Sequence, residues 1–251
     1  MKPNKEWVVI VGATGAFGKV IVKRLKSQGL GVVAVARSAS ALDELAAAYP
    51  GVVPCVADIA SDSSIESIRI ALPGPVRMVV HGPGVSVGGG VLAVDTHALV
   101  DAVNIKVGGM LRLVRAVDAH LSTNSRLVAI GGHYGFEPTA YAAAAGVANA
   151  ALVNVVRQLS LAYGARGITA HLVAPGPADT ERLRRVAADR AQLKGTTVEA
   201  VLDAMKADSS LGAFTEPGQV AWALEILLAP EASAMTGSSL MLDVGRRRGL
   251  P

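Results

Sequence analysis

Aromatic residues are scarce, at 4% of 251 positions, so any core must be assembled mainly from Ala, Val and Leu. Such small and branched side chains suit helices packed closely on a parallel sheet. Cys55 is the only cysteine, which excludes an internal disulfide and gives no sign of an oxidising compartment. It sits in the apolar run Val52-Val53-Pro54-Cys55-Val56, the setting of a buried, inert strand thiol. No apolar run reaches membrane-spanning length without Gly, Pro or charge, so no transmembrane helix is expected. Charge of one sign does not accumulate either. The net charge is +4, and basic residues gather only in short groups such as Arg184-Arg185 and Arg246-Arg247-Arg248. That is too little for a nucleic-acid face. No Cys/His/Asp/Glu group has metal-ligand spacing. Nothing like a signal peptide precedes the first strand, which predicts a cytoplasmic protein.

What is present is an alternation. Short β-branched runs at Trp7–Val11, Gly31–Ala36, Val52–Ala57, Arg77–His81, Ser125–Ile130, Thr169–Ala174 and Ser239–Asp243 read as strands. Helical patterns separate them at Ala16–Gln28, Ser40–Tyr49, Ser64–Ala71, Asp95–Leu121, Ala142–Tyr163 and Pro217–Leu228. The strands are almost unbroken apolar runs, as in a sheet buried on both faces. Regular β-α-β alternation implies parallel strands with right-handed crossovers, hence one α/β domain with a doubly wound parallel sheet. A Gly-rich loop covers Gly82–Gly90, and a mainly polar helical stretch near 177–214 interrupts the rhythm. An insertion after a late strand, on the ligand side of such a sheet, predicts a substrate-covering lid.

The first strand runs straight into Gly12-Ala13-Thr14-Gly15-Ala16-Phe17-Gly18, where a helix begins. Glycines there let the backbone approach a pyrophosphate, and the helix N-terminus offers amides and a positive dipole. This is the dinucleotide-binding turn of a Rossmann fold. At the end of the second strand, an NAD-specific site usually places an acid for the ribose hydroxyls. This chain has Ala36 followed by Arg37-Ser38, and a guanidinium can grip a 2′-phosphate, so NADP(H) is the expected cofactor. Asp58-Ile59, after the third strand, fits the adenine end.

These motifs together resemble the short-chain dehydrogenase/reductase family over essentially the whole chain. The glycine turn is similar to the family's TGxxxGxG, with Ala16 in place of the middle glycine. His81-Gly82-Pro83-Gly84 stands where the family has NNAG, and Asn104 where it carries the helix asparagine of its proton relay. Pro175-Gly176 with Thr180 resembles the segment that contacts the nicotinamide carboxamide. The catalytic serine, tyrosine and lysine are another matter. Counting back from Pro175 by the family's usual spacing sets Asn149 at the lysine, Ala145 at the tyrosine and Gly132 at the serine. A second alignment, using Tyr141 as the tyrosine, needs an extra helical turn and still sets Ala145 at the lysine.

Without that triad, Tyr141, His133 and Tyr134 are the candidate proton donors, with Asn104 as a relay residue. Helical spacing would put Tyr141, Ala145 and Asn149 on one face. Imidazole suits proton transfer near neutral pH, whereas a phenol mostly donates a hydrogen bond. Asn149 can bond ribose hydroxyls but supplies no charge. Two functions follow from the resemblance: an NADP(H)-dependent reductase of a small molecule's carbonyl or activated double bond, or a catalytically silent NADP(H)-binding sensor or assembly protein. Family likeness also implies a homodimer or homotetramer through the two long helices.

Overall fold

A computed structural model describes residues 5–85 and 89–249. Its strands are β1 (Trp7–Val11), β2 (Gly31–Ala36), β3 (Val52–Val56), β4 (Val76–His81), β5 (Leu121–Ile130), β6 (Thr169–Pro175) and β7 (Ser239–Leu242). All pair in parallel, in the order β3-β2-β1-β4-β5-β6-β7. The α-helices in chain order are α1 (Ala16–Ser27), α2 (Ala39–Ala48), α3 (Ser63–Ala71), α4 (Thr96–Val103), α5 (Gly109–Val117), α6 (Ala143–Tyr163), α7 (Glu181–Lys194), α8 (Val198–Ala207) and α9 (Pro217–Ile226).

The apolar strand runs divide between two cores because successive side chains point to opposite faces. Along β1, Val8 and Ile10 join Leu25 of α1, Leu42 of α2 and Leu224 of α9. Val9 and Val11 join Ile68 of α3, Leu113 of α5 and Leu152 of α6. Each fully buried aliphatic contributes roughly 1.5–3 kcal/mol, so two broad layers of Val, Leu and Ile replace a few large aromatic anchors. Arg126 is fully buried in β5, where its guanidinium donates to the carbonyls of Asn124, Leu227 and Ala229. Cys55 is buried on β3 with its thiol pKa pushed up by that burial, as expected for an inert core sulfur.

Three local features depart from the periodicity. The expected helix over Asp95–Leu121 is divided by a π-helical turn at Asn104–Gly108 between α4 and α5. A Cβ on Gly108 would come within 2.8 Å of Asn104 Oδ1, so the missing side chain leaves room for that amide. β5 begins four residues before the expected Ser125. Its first part is polar, and Asn124 adopts φ 72°, beside a register shift in the pairing with β4. Residues 178–214 form α7 and α8, tied to the body by a bridge between Ala178 and Thr215. Of the Gly-rich loop, residues 86–88 lie outside those described.

Sheet order reverses between β1 and β4, and ligand crevices of such sheets open at that point, beyond the carboxyl ends of the strands. Among the described residues, no helix is long and apolar enough to cross a membrane, and no metal-ligating cluster forms.

Candidate functional site

A cavity of about 730 Å³ fills that crevice. Its floor is the turn between β1 and α1. Gly12 takes φ +82°, and a Cβ on it would stand 3.1 Å from Gly82 O, so the turns after β1 and β4 abut. At Gly18 a Cβ would fall 2.5 Å from Ala13 O, which leaves glycine as the residue that fits without moving backbone. Gly15 is the N-cap of α1, which has no side-chain cap and no acid in its first turn. Its first amides are therefore unserved by the chain and face the cavity, an arrangement suited to an anion. Thr14, Ala16 and Phe17 line the same floor, with Gly82 and Gly84 beside them.

The opposite wall comes from β5, β6 and α6. Gly132, Ala145 and Asn149, expected from sequence spacing at the serine, tyrosine and lysine positions, all line it. A Cβ on Gly132 would be 3.0 Å from Asn149 Nδ2, so the bare glycine makes room for the amide. Asn149 is 6% exposed, and its Oδ1 has no hydrogen-bond partner among the described residues. A buried unpaired carbonyl is costly and calls for a donor. Pro175, Gly176 and Thr180 complete the wall, and the Thr180 hydroxyl caps α7 by accepting from Leu183 N at 3.4 Å.

Four residues expected at the adenosine end, Arg37, Ser38, Asp58 and Ile59, do not line this cavity. Gly12 N donates to Val35 O at 2.9 Å, which sets the end of β2 beside the glycine turn. Arg37, two residues on, is exposed. Ser38 Oγ caps α2 by accepting from Ala41 N at 3.3 Å. Asp58 is exposed with Oδ1 accepting from Ala60 N at 3.0 Å, whereas Ile59 is buried in the core.

The proposed proton donors fare differently. Tyr141 is not on α6, which begins at Ala143, so it does not share a helix face with Ala145 and Asn149. The chain turns at Ala142, with φ −121° and ψ 47°, and turns the ring outward to 38% exposure. Its hydroxyl meets Tyr134 OH at 2.7 Å, and Arg190 of α7 lies over its ring at 3.9 Å. Tyr134 lines the cavity, but burial and the Tyr141 hydroxyl push its pKa up to about 12. His133 also lines it, and burial together with the nearby Arg246 lowers its pKa to about 4. It is therefore a neutral imidazole at pH 7. Asn104 does not line the cavity. Its Nδ2 donates to Ala60 O at 3.0 Å, and its Oδ1 accepts from Arg112 at 2.9 Å.

The sequence reading missed Lys106. It stands on the π turn, is 4% exposed, and lines the cavity. Its Nζ donates to Ile130 O at 2.8 Å, directly before Gly131-Gly132. Burial, reinforced by the positive Arg182, lowers its pKa to about 7. The signal was legible in the spacing. Ala102, Lys106, Met110 and Leu113 repeat at helical intervals, and the other three are buried apolar residues.

Residues 12–247 match the family model described as Enoyl-(Acyl carrier protein) reductase. The chain is 26% identical, over 94% of its length and 95% of the other's, to a Streptomyces coelicolor protein provisionally named a ketoacyl reductase. It is 27% identical to 3-oxoacyl-(acyl-carrier-protein) reductase of Salmonella typhimurium, over 94% of this chain and 95% of that one. Among solved structures, a variant of actinorhodin polyketide ketoreductase with NADPH superposes with a TM-score of 0.86. It is 26% identical and covers 96% of this chain and 97% of its own. The glycine turn, the seven-stranded parallel sheet and the matching family model together show that the chain belongs to the short-chain dehydrogenase/reductase family of oxidoreductases.

Proposed function

We propose that this chain is an NADP(H)-dependent reductase of a carbonyl or activated double bond in a small molecule, working without the family's serine, tyrosine and lysine. The observation that carries this reading is a single cavity. It joins a helix N-terminus with free amides at one end to an unpartnered buried Asn149 carbonyl at the other. The residues present fit a nicotinamide dinucleotide. The amides following Gly15 would hold the pyrophosphate, and Asn149 would take a ribose hydroxyl. Arg37, standing where an acid would select NAD, would grip the 2′-phosphate. The bound reduced nicotinamide supplies a hydride.

The chain's own contribution is positioning. Holding reactants in register can contribute roughly 7–11 kcal/mol, and this survives loss of the triad. Losing the general acid costs roughly 10²- to 10⁴-fold unless another group replaces it. The names of the relatives support a carbonyl as the reacting group. Exposed Val100 of α4, with Val147 and Leu161 of α6, supports assembly into a homodimer or homotetramer through those helices.

The test is loss of NADPH absorbance with a panel of ketones, β-ketoacyl thioesters, quinones and enones. Turnover of at least one class is expected. A panel without turnover, on protein that binds NADPH, overturns the enzyme reading. It would favour the silent sensor, for which Ala145 at the tyrosine position is the supporting observation.

A further inference from the structure

We propose that Lys106 is the proton donor of this reductase, its ammonium standing in for the phenol and lysine absent from α6. The inference rests on the reductase reading above. Lys106 reaches the cavity from the π turn between α4 and α5, not from α6, so it enters from a different side of the site. π turns inside α-helices often mark functional positions. One of its three N–H groups is held by Ile130 O at 2.8 Å. That bond fixes the ammonium under Gly131-Gly132, the backbone beside Asn149. Among the described residues it makes no other hydrogen bond and no ion pair, leaving two donors for a ligand.

An ammonium buried with no carboxylate partner is expensive to keep, which points to use rather than structure. The charged and titratable groups facing it are Arg182 from α7 and His81 from β4. His81 is held neutral, with a pKa near 3, and its Nε2 donates to Ile105 O at 3.0 Å. Burial and Arg182 together bring Lys106 to about 7, where it can both hold and release a proton at neutral pH.

Other groups on the cavity wall do not compete. His133 is neutral and weakly basic at about 4. Tyr134 is held up at about 12 and bonded to Tyr141. Glu181 is an acceptor when ionised, Arg182 and Arg185 do not release protons, and Lys19 is exposed on α1 beside the glycine turn, whereas Lys106 is buried.

With a bound reduced nicotinamide supplying a hydride to the carbonyl carbon, the C=O π pair would move onto oxygen, and that oxygen would take a proton from Lys106 Nζ. The products are an alcohol, the oxidised carrier and a neutral amine, which regains its proton from solvent.

The experiment uses the full chain with NADPH and the acetoacetyl thioester of N-acetylcysteamine. In wild type, kcat/KM should fall about tenfold per pH unit above about pH 7. Lys106→Met should lose about 10²- to 10⁴-fold and lose that limb, while NADPH affinity stays unchanged. Lys106→Arg should keep cofactor binding but flatten the limb. Independently of turnover, the ε-carbon of ¹³C-labelled Lys106, identified by its absence in the arginine variant, should titrate near 7.

Wild-type turnover that survives Lys106→Met, or a Lys106 midpoint near the ordinary lysine value of 10.5, overturns the proposal and leaves the reductase reading standing. No turnover of any carbonyl probe by NADPH-loaded wild type overturns both. If the methionine variant does not fold, the arginine variant and the titration decide.

Discussion

Replacing Lys106 with methionine should stabilise the fold at low pH and stop doing so at high pH. The lysine moves from 10.5 in the unfolded chain to about 7 when folded. At about 1.36 kcal/mol per pH unit, that burial costs the native state about 5 kcal/mol wherever both states are protonated, which is below about pH 7. Between about pH 7 and 10.5 the unfolded chain binds a proton that the folded chain does not. Wild-type stability therefore rises with pH across that window, and the cost is gone above it. Methionine removes this cost but strands Ile130 O, at about 1–3 kcal/mol independent of pH. The variant should thus be more stable than wild type by about 3 kcal/mol near pH 6. Near pH 9.5 only about 1 kcal/mol of the burial cost remains, so the variant should be level with wild type or below it. Urea unfolding of both proteins at the two pH values measures this directly, since other titrating groups cancel in the difference. A stability difference that does not change with pH would mean the ammonium is solvated, and the reasoning fails.

Other expectations follow from the same site. Arg37→Ala should weaken NADPH binding by up to about 10²-fold and NADH binding hardly at all, by the worth of charge-assisted hydrogen bonds; fluorescence titration with both carriers checks it, and equal losses would remove Arg37 from the phosphate. In the Lys106→Met background, the combined Gly132→Ser, Ala145→Tyr and Asn149→Lys variant should restore ketone reduction by about 10²- to 10⁴-fold if these are the triad positions, and an unchanged rate would refute that alignment. His133→Gln should leave the pH profile between about 5.5 and 8 unaltered, because burial holds the imidazole neutral with a pKa near 4; disappearance of a limb in that range would contradict this placement.

Much of this molecule was legible in its sequence because its signals are local. Apolar strand runs, Ala/Leu helices and the glycine turn before α1 each carry their own reason for folding as they do. The parallel order of seven strands follows from their alternation with helices. What escaped was tertiary or irregular. The start of β5 was hidden by Ser122, Thr123 and Asn124, polar residues at a register shift. The π turn at Asn104–Gly108 leaves hydrophobic periodicity almost intact, so α4 and α5 read as one helix. Tyr141 looked helical by spacing, yet its partners are Tyr134 on the preceding loop and Arg190 on the lid, neither inferable from α6 alone. Lys106 was visible as the single cation in an apolar helical stripe, a pattern that ordinarily marks either an error in phase or a buried charge with a purpose.

The most direct test of the account is calorimetric titration of the folded chain with NADPH and NADH. One NADPH per chain is predicted, bound more tightly than NADH, with heat abolished when Gly18→Val fills the floor of the glycine turn in a variant whose circular dichroism is unchanged. Absence of binding by either carrier at millimolar concentration would contradict it.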